Sequence, residues 1–150
     1  KLKDGDVKIE LFEDVAPNHV KRIKELADSG KYDNVVFHRV IDGFMAQTGD
    51  PNGNGTGGSS LPNLDSEFSL ISYERGTVGM ARSSDPDSAN SQFFITFNDY
   101  PSLDNEYTVF GKVISGMQYI DSLNRYIYKK IVFLKSMITK YFIVKINFWE

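Results

Sequence analysis

One cation, two bulky apolar side chains and an amide stand close together in the segment FHRVIDGFMAQTGD, from Phe37 to Asp50. They are Arg39, Phe44, Met45 and Gln47. A second segment, SQFFI from Ser91 to Ile95, adds the amide of Gln92 and the ring of Phe94. Brought together, these residues make a small apolar pocket rimmed by hydrogen-bond donors. No nucleophile–base pair and no metal-ligand spacing accompanies them. The chemistry that suits such a site is one in which no covalent bond breaks. His38 adjoins Arg39, and strand alternation turns it to the opposite face, where it is expected to be structural and hydrogen-bonded beneath the site.

Several elements must position these groups. Val7 to Leu11 alternates apolar and polar, the period of a half-buried strand. Ala16-Pro17-Asn18 opens a helix, with proline tolerated in its first turn, Val20, Ile23 and Ala27 on one face and Gly30 as its stop. His19 on this helix is expected to be exposed. Val35 to Val40 and Phe44 to Gln47 read as strands, as do Thr77 to Ala81, Gln92 to Thr96 and Thr108 to Val113. Pro51 to Ser60 carries Gly53, Gly55, Gly57 and Gly58 and reads as a loop that lets backbone approach a ligand. Gly116 to Leu123 predicts a short helix with Met117 and Ile120 inward. Many short strands separated by turns point to a β-barrel or sandwich with one or two helices added.

The bulk properties exclude other classes. A chain of 150 residues fits one domain with a sizeable core. The formal net charge of -3 and a pI near 5.4 argue against a nucleic-acid binder. There is no cysteine, so disulfides, thiolate catalysis and Cys-ligated zinc are excluded, and two histidines do not make a His-rich metal site. No apolar run approaches the ~20 residues of a membrane span. The loop GNGTGG lacks the spacing, the following helix and the lysine of a phosphate loop. Asp65, Asp85 and Asp87 do not follow the spacing of a calcium loop. From Tyr126 onward the composition changes: Lys130, Lys135, Lys140 and Lys145 interrupt runs of Ile, Val, Phe and Tyr, without Gly or Pro. Residues 126–150 read either as closing strands or as a segment outside the fold. The first residue is lysine, so the native start and any leader with it are expected to be absent.

The segments FHRVIDGFMAQTGD, GNGTGG, GTVGMAR, ANSQFFITF and LDNEYTVFGKV, in this order, resemble the cyclophilin family of peptidyl-prolyl cis-trans isomerases. The resemblance spans Val7 to Leu123, and its wording is most similar to short bacterial members. It implies a mostly β fold, a closed eight-stranded antiparallel β-barrel capped by two α-helices, over a domain of residues 1–125 with its first strand truncated. It implies catalytic roles for Arg39, Gln47 and Phe44. It implies substrate-binding roles for Met45, Gly55, Ala81, Arg82, Gln92, Phe94, Leu103 and Tyr107, Phe94 being the floor of the proline pocket and Leu103 an apolar wall. At Arg82 many members carry Asn, but the contact there is largely main-chain. Tyr107 stands where many members carry His and keeps a ring and one donor. Ser102 stands where members that bind cyclosporin tightly carry Trp, which implies weak cyclosporin binding. The further implications are no cofactor and no metal, proline-containing peptides and unfolded proteins as partners, no nucleic acid, no membrane, a monomer, and a place in the bacterial cytoplasm. The alternative is a proline-peptide binding module or holdase with little turnover.

Overall fold

The computed structural model describes residue 2 and residues 4–123. The atypical segment 126–150 lies outside the described residues, as does Lys1, on which the expected truncation of the first strand rests. Six strands are seen: β1 (Lys8–Leu11), β2 (Arg39–Ile41), β3 (Met45–Thr48), β4 (Thr77–Met80), β5 (Phe93–Thr96) and β6 (Val109–Ser115). Helix α1 spans Pro17–Asp28 and helix α2 is described over residues 117–123. The strands form one antiparallel sheet in the order β1-β6-β4-β5-β3-β2.

This corrects the eight-stranded closed barrel. Among the described residues the sheet has six strands, and its outer strands β1 and β2 are not hydrogen-bonded to each other. Among the described residues the stretch 61–72 contributes no strand and makes only one isolated bridge, Leu64 to Ala89. Pro62 has no N–H to donate to a ladder, and the residues around it are turn-formers.

The sheet sorts its side chains by alternation. In β5, Phe93 and Ile95 enter the main core, while Phe94 joins a smaller cluster on the other face with Met45, Tyr73 and Val109. In β4, Val78 and Met80 face the main core and flank Gly79. Both central strands are buried on both faces, so they read as unbroken apolar runs rather than as alternation. Val20, Ile23 and Leu26 of α1 and Ile120 and Leu123 of α2 complete the main core.

Helix α1 begins at Ala16, whose side chain offers no cap. The cap comes from far along the chain: the Glu67 carboxylate accepts from the backbone N–H of Asn18 at 3.1 Å and of His19 at 3.0 Å. A carboxylate here also complements the positive end of the helix dipole. The helix ends as its sequence predicts, with Gly30 at φ 70° and Lys31 N–H bonded to the Leu26 carbonyl.

His19 is fully buried, against expectation, and its Nδ1 lies 2.6 Å from Glu67 Oε2. Burial depresses the His19 pKa, and its bond to Glu67 only partly opposes this. The contact is therefore a neutral imidazole N–H donating to a carboxylate. Burial works to raise the Glu67 carboxyl, but the His19 and Asn18 donors outweigh it and hold its pKa below the usual range.

Both shifts have the same consequence. In the unfolded chain a histidine takes up a proton near 6.5, whereas folded His19 resists it. Stability is thus level above about pH 6.5 and falls as pH drops through that value. Below the ordinary glutamate value of 4.5, Glu67 adds to the loss. The thermal midpoint is expected to drop by about 5 °C or more between pH 7.5 and pH 4. A midpoint that holds or rises in acid refutes this account.

Candidate active site

The site is built on a single row of residues that crosses four strands. Arg39 of β2 pairs with Gln47 of β3, Gln47 with Phe94 of β5, and Phe94 with Gly79 of β4. Residues paired across strands share a face. The hairpin between β2 and β3 turns at Gly43, whose φ is 68°. That turn explains how Arg39 and Gln47 come to lie side by side.

A chain of hydrogen bonds runs along this row. Arg39 Nη1 donates to Gln47 Oε1 at 3.2 Å. Gln47 Nε2 donates to Gln92 Oε1 at 2.8 Å. Gln92 Nε2 donates to the carbonyls of Gly55 at 3.1 Å and Gly57 at 2.7 Å. Both amide orientations are fixed by this sequence of donors and acceptors, and the glycine loop anchors its far end. Arg39 itself is exposed, with its guanidinium only partly engaged.

Arg39, Phe44, Met45, Gln47, Ala81, Arg82, Phe94, Leu103 and Tyr107 line one open cleft of about 180 Å³. Its floor is Phe94, which is 5% exposed, and Met45, at 2%. Phe44 meets the edge of Tyr100, with ring centroids 4.7 Å apart, and Tyr100 Oη donates to the Gly43 carbonyl. Tyr107 stands edge-on to Phe94 at 5.5 Å. Leu103 is held in the 3₁₀ turn Pro101–Leu103, where Ser102 is exposed. A larger cavity of about 360 Å³ lies between the end of α1 and residues 58–61. Its hydroxyls on Tyr32, Ser29, Ser59 and Ser91 already bond within the fold.

Nine of the eleven residues assigned from the sequence therefore share one cleft. Gly55 and Gln92 adjoin it from behind. The Gly55 N–H donates to Asp50 and its carbonyl accepts from Gln92, so both of its polar groups are used inside the fold. Gly55 has φ 91°, and an added Cβ would lie 3.3 Å from His38 Cδ2. His38 lies against Gly55 of the loop, and, contrary to the expected hydrogen bond, neither of its ring nitrogens has a partner among the described residues. Burial lowers its pKa, so it is neutral near pH 7.

Four supporting residues were not singled out from the sequence. Asp50 is fully buried and accepts from the N–H groups of Asn52, Asn54 and Gly55. Tyr73 stacks under Phe94, with centroids 5.6 Å apart, and its hydroxyl donates to the Tyr107 carbonyl. Gly79 makes room for Tyr73, since any Cβ there would collide with that ring. Glu106 meets Arg82. The only signal for Asp50 was its place at the mouth of a glycine loop.

The cleft thus sets an apolar floor beside a guanidinium held by an amide. The family model for cyclophilin type peptidyl-prolyl cis-trans isomerases matches residues 1–144. A probable peptidyl-prolyl cis-trans isomerase of Brucella suis is 57% identical over 136 residues, covering 83% of this chain and 69% of that protein. The peptidyl-prolyl cis-trans isomerase-like 3 of Gallus gallus is 47% identical over 125 residues, covering 81% and 77%. Among solved structures, a cyclophilin type isomerase of Cryptosporidium parvum, determined in the presence of the dipeptide Ala-Pro, superposes with a TM-score of 0.82 at 36% identity, covering 96% of this chain and 92% of that one. The chain belongs to the cyclophilin-type peptidyl-prolyl cis-trans isomerases and has their fold, mostly β with two helices.

Proposed function

We propose that this chain turns over X-Pro bonds by a non-covalent mechanism in which Arg39 stabilises the twisted amide. Amide resonance sets the barrier at roughly 18–20 kcal/mol. As the bond twists, the proline nitrogen regains a lone pair. A donor fixed near that nitrogen binds the twisted state better than the planar one, and such differential binding lowers the barrier. The observation that carries this reading is the Arg39–Gln47–Gln92 chain beside the Phe94 floor. Phe44, Met45, Phe94 and Leu103 would hold the proline ring away from water, where the hydrogen bond from Arg39 gains strength. Gln47 and Gln92 would keep the guanidinium aimed, and Ala81 and Arg82 would lie along the substrate backbone.

The partners we assign are proline-containing peptides and flexible or unfolded proteins, whose folding an isomerase would assist. We take the protein to act as a monomer in the bacterial cytoplasm; the relative from Brucella suis supports the bacterial part of this reading. Among the described residues no helix is long and apolar enough to cross a membrane. The test is cis–trans exchange of a short X-Pro peptide, read by NMR. Rapid exchange supports turnover. A folded chain that binds the peptide without accelerating exchange would instead be a binding module.

Weak cyclosporin binding follows from Ser102, which is exposed and offers no indole at the cleft rim. Ser102→Trp is expected to tighten cyclosporin binding by at least about tenfold. Equal dissociation constants for the two proteins would remove this explanation.

A further inference from the structure

Arg82 lines the cleft, yet its guanidinium is bonded within the protein. Its Nε donates to the Glu106 carbonyl at 3.0 Å, its Nη1 to the carbonyls of Ser83 at 2.9 Å and Ser84 at 3.5 Å, and its Nη2 to the Glu106 carboxylate at 3.3 Å. The side chain is only 14% exposed. Its guanidinium carbon sits 4.7 Å from the centre of the Tyr107 ring. Tyr107 in turn stands edge-on to Phe94, and its backbone carbonyl is held by the Tyr73 hydroxyl.

We propose that Arg82 is a positioning residue that sets substrate affinity by bracing the Tyr107 ring as a wall of the proline pocket. Three supports then converge on that wall: Arg82 over its face, Phe94 at its edge and Tyr73 beneath its backbone. A flat guanidinium suits the first support, because it can stack on a ring while its N–H groups bond in its own plane. A lysine ammonium has the charge but neither the plane nor the fork. Since the polar edge of Arg82 is used within the protein, a carboxylate on the substrate gains nothing from it. Arg39 is the cation that the cleft presents. The proposal rests on the isomerase reading of this cleft, and the two fail in different ways.

The test compares Arg82→Met, Arg82→Lys, Tyr107→Leu and the Met/Leu double variant on a tetrapeptide containing Ala-Pro. Both KM and kcat are read, and the dissociation constant is measured by NMR titration, so that the comparison stands even without turnover. Arg82→Met is expected to raise KM and the dissociation constant roughly fivefold, with kcat within about twofold of the unaltered chain. Arg82→Lys should behave like Arg82→Met. In the Tyr107→Leu background, Arg82→Met should add nothing, because the ring it braces is gone. Unchanged affinity in Arg82→Met, full rescue by lysine, or effects that multiply in the double variant would each overturn the brace. Should Arg82→Met fail to fold, Arg82→Lys with and without Tyr107→Leu carries the same cycle. An inert unaltered chain overturns the isomerase reading instead, while the affinity cycle still decides the role of Arg82.

Discussion

Replacing Arg39 with alanine is expected to lower kcat/KM for an X-Pro peptide by about 10²–10³-fold, the usual effect of removing one preorganised donor from a developing charge. The loss should fall on kcat, with peptide affinity changing little. A group that binds the twisted amide better than the planar one contributes to the transition state alone. Arg39→Lys should fall nearly as far. Lysine keeps the charge but loses the fork that lets one nitrogen bond Gln47 Oε1 at 3.2 Å while others face the cleft. Because Arg39 is exposed and, among the described residues, its guanidinium bonds only to another side chain, neither variant should shift the thermal midpoint by more than about 2 °C. Stopped-flow or exchange measurements on the folded variants decide the matter. If KM rises while kcat stays, Arg39 binds the ground state and the twisted-amide role is wrong. Gln47→Ala should give a smaller loss of the same kind, since it leaves the guanidinium in place but unaimed.

How much of this was open to reading in the sequence depends on how far apart the partners lie. Arg39 and Gln47 are joined by a short hairpin, and the alternation of strand residues on either side of Gly43 places them on one face. Gln92 and Phe94 sit in a short run of strand-forming residues, so their type and spacing were informative too. The pairing of β3 with β5 links residues more than forty positions apart, and no local pattern announces it. The same holds for the carboxylate of Glu67, which caps α1 and buries His19. Helical periodicity marked Val20 and Ile23 as buried but had no means of finding a distant acid that would make burial of the neighbouring imidazole tolerable. Strand number failed for a related reason. Turn-formers such as Pro62 and Asn63 were visible, but whether the stretch around them pairs as a strand or as a single bridge is decided by tertiary contact. Tyr73 shows the limit most clearly. Its ring supports Phe94 from below, in space that exists only because position 79 is glycine, and Tyr73 itself lies outside any strand or helix, where no periodicity marks its direction.

The second large effect is expected at Asp50, which touches no substrate. Burial alone would raise its carboxyl, but the N–H groups of Asn52, Gly55, Asn54 and Gly57 together hold its pKa below the usual 3.8. Three of those bonds measure 2.8, 3.0 and 2.5 Å. One carboxylate thus folds the glycine loop around itself, and the loop presents the Gly55 and Gly57 carbonyls to Gln92. The line of dependence runs from Asp50 to the loop, to Gln92, to Gln47 and to Arg39. Asp50→Ala leaves the N–H groups of four exposed or half-buried loop residues without their acceptor, and a loss of about 1–3 kcal/mol is expected once water reaches them. Asp50→Asn keeps one acceptor oxygen and should lose less. The informative quantity is activity at a temperature where both variants are fully folded by circular dichroism. There kcat/KM should still be down by about tenfold or more in Asp50→Ala, because a guanidinium displaced by even 1 Å no longer meets the proline nitrogen. If the folded variant turns over at the unaltered rate, the glycine loop stabilises the fold without aiming the cation. Arg39 would then be held by its strand and by Gln47 alone.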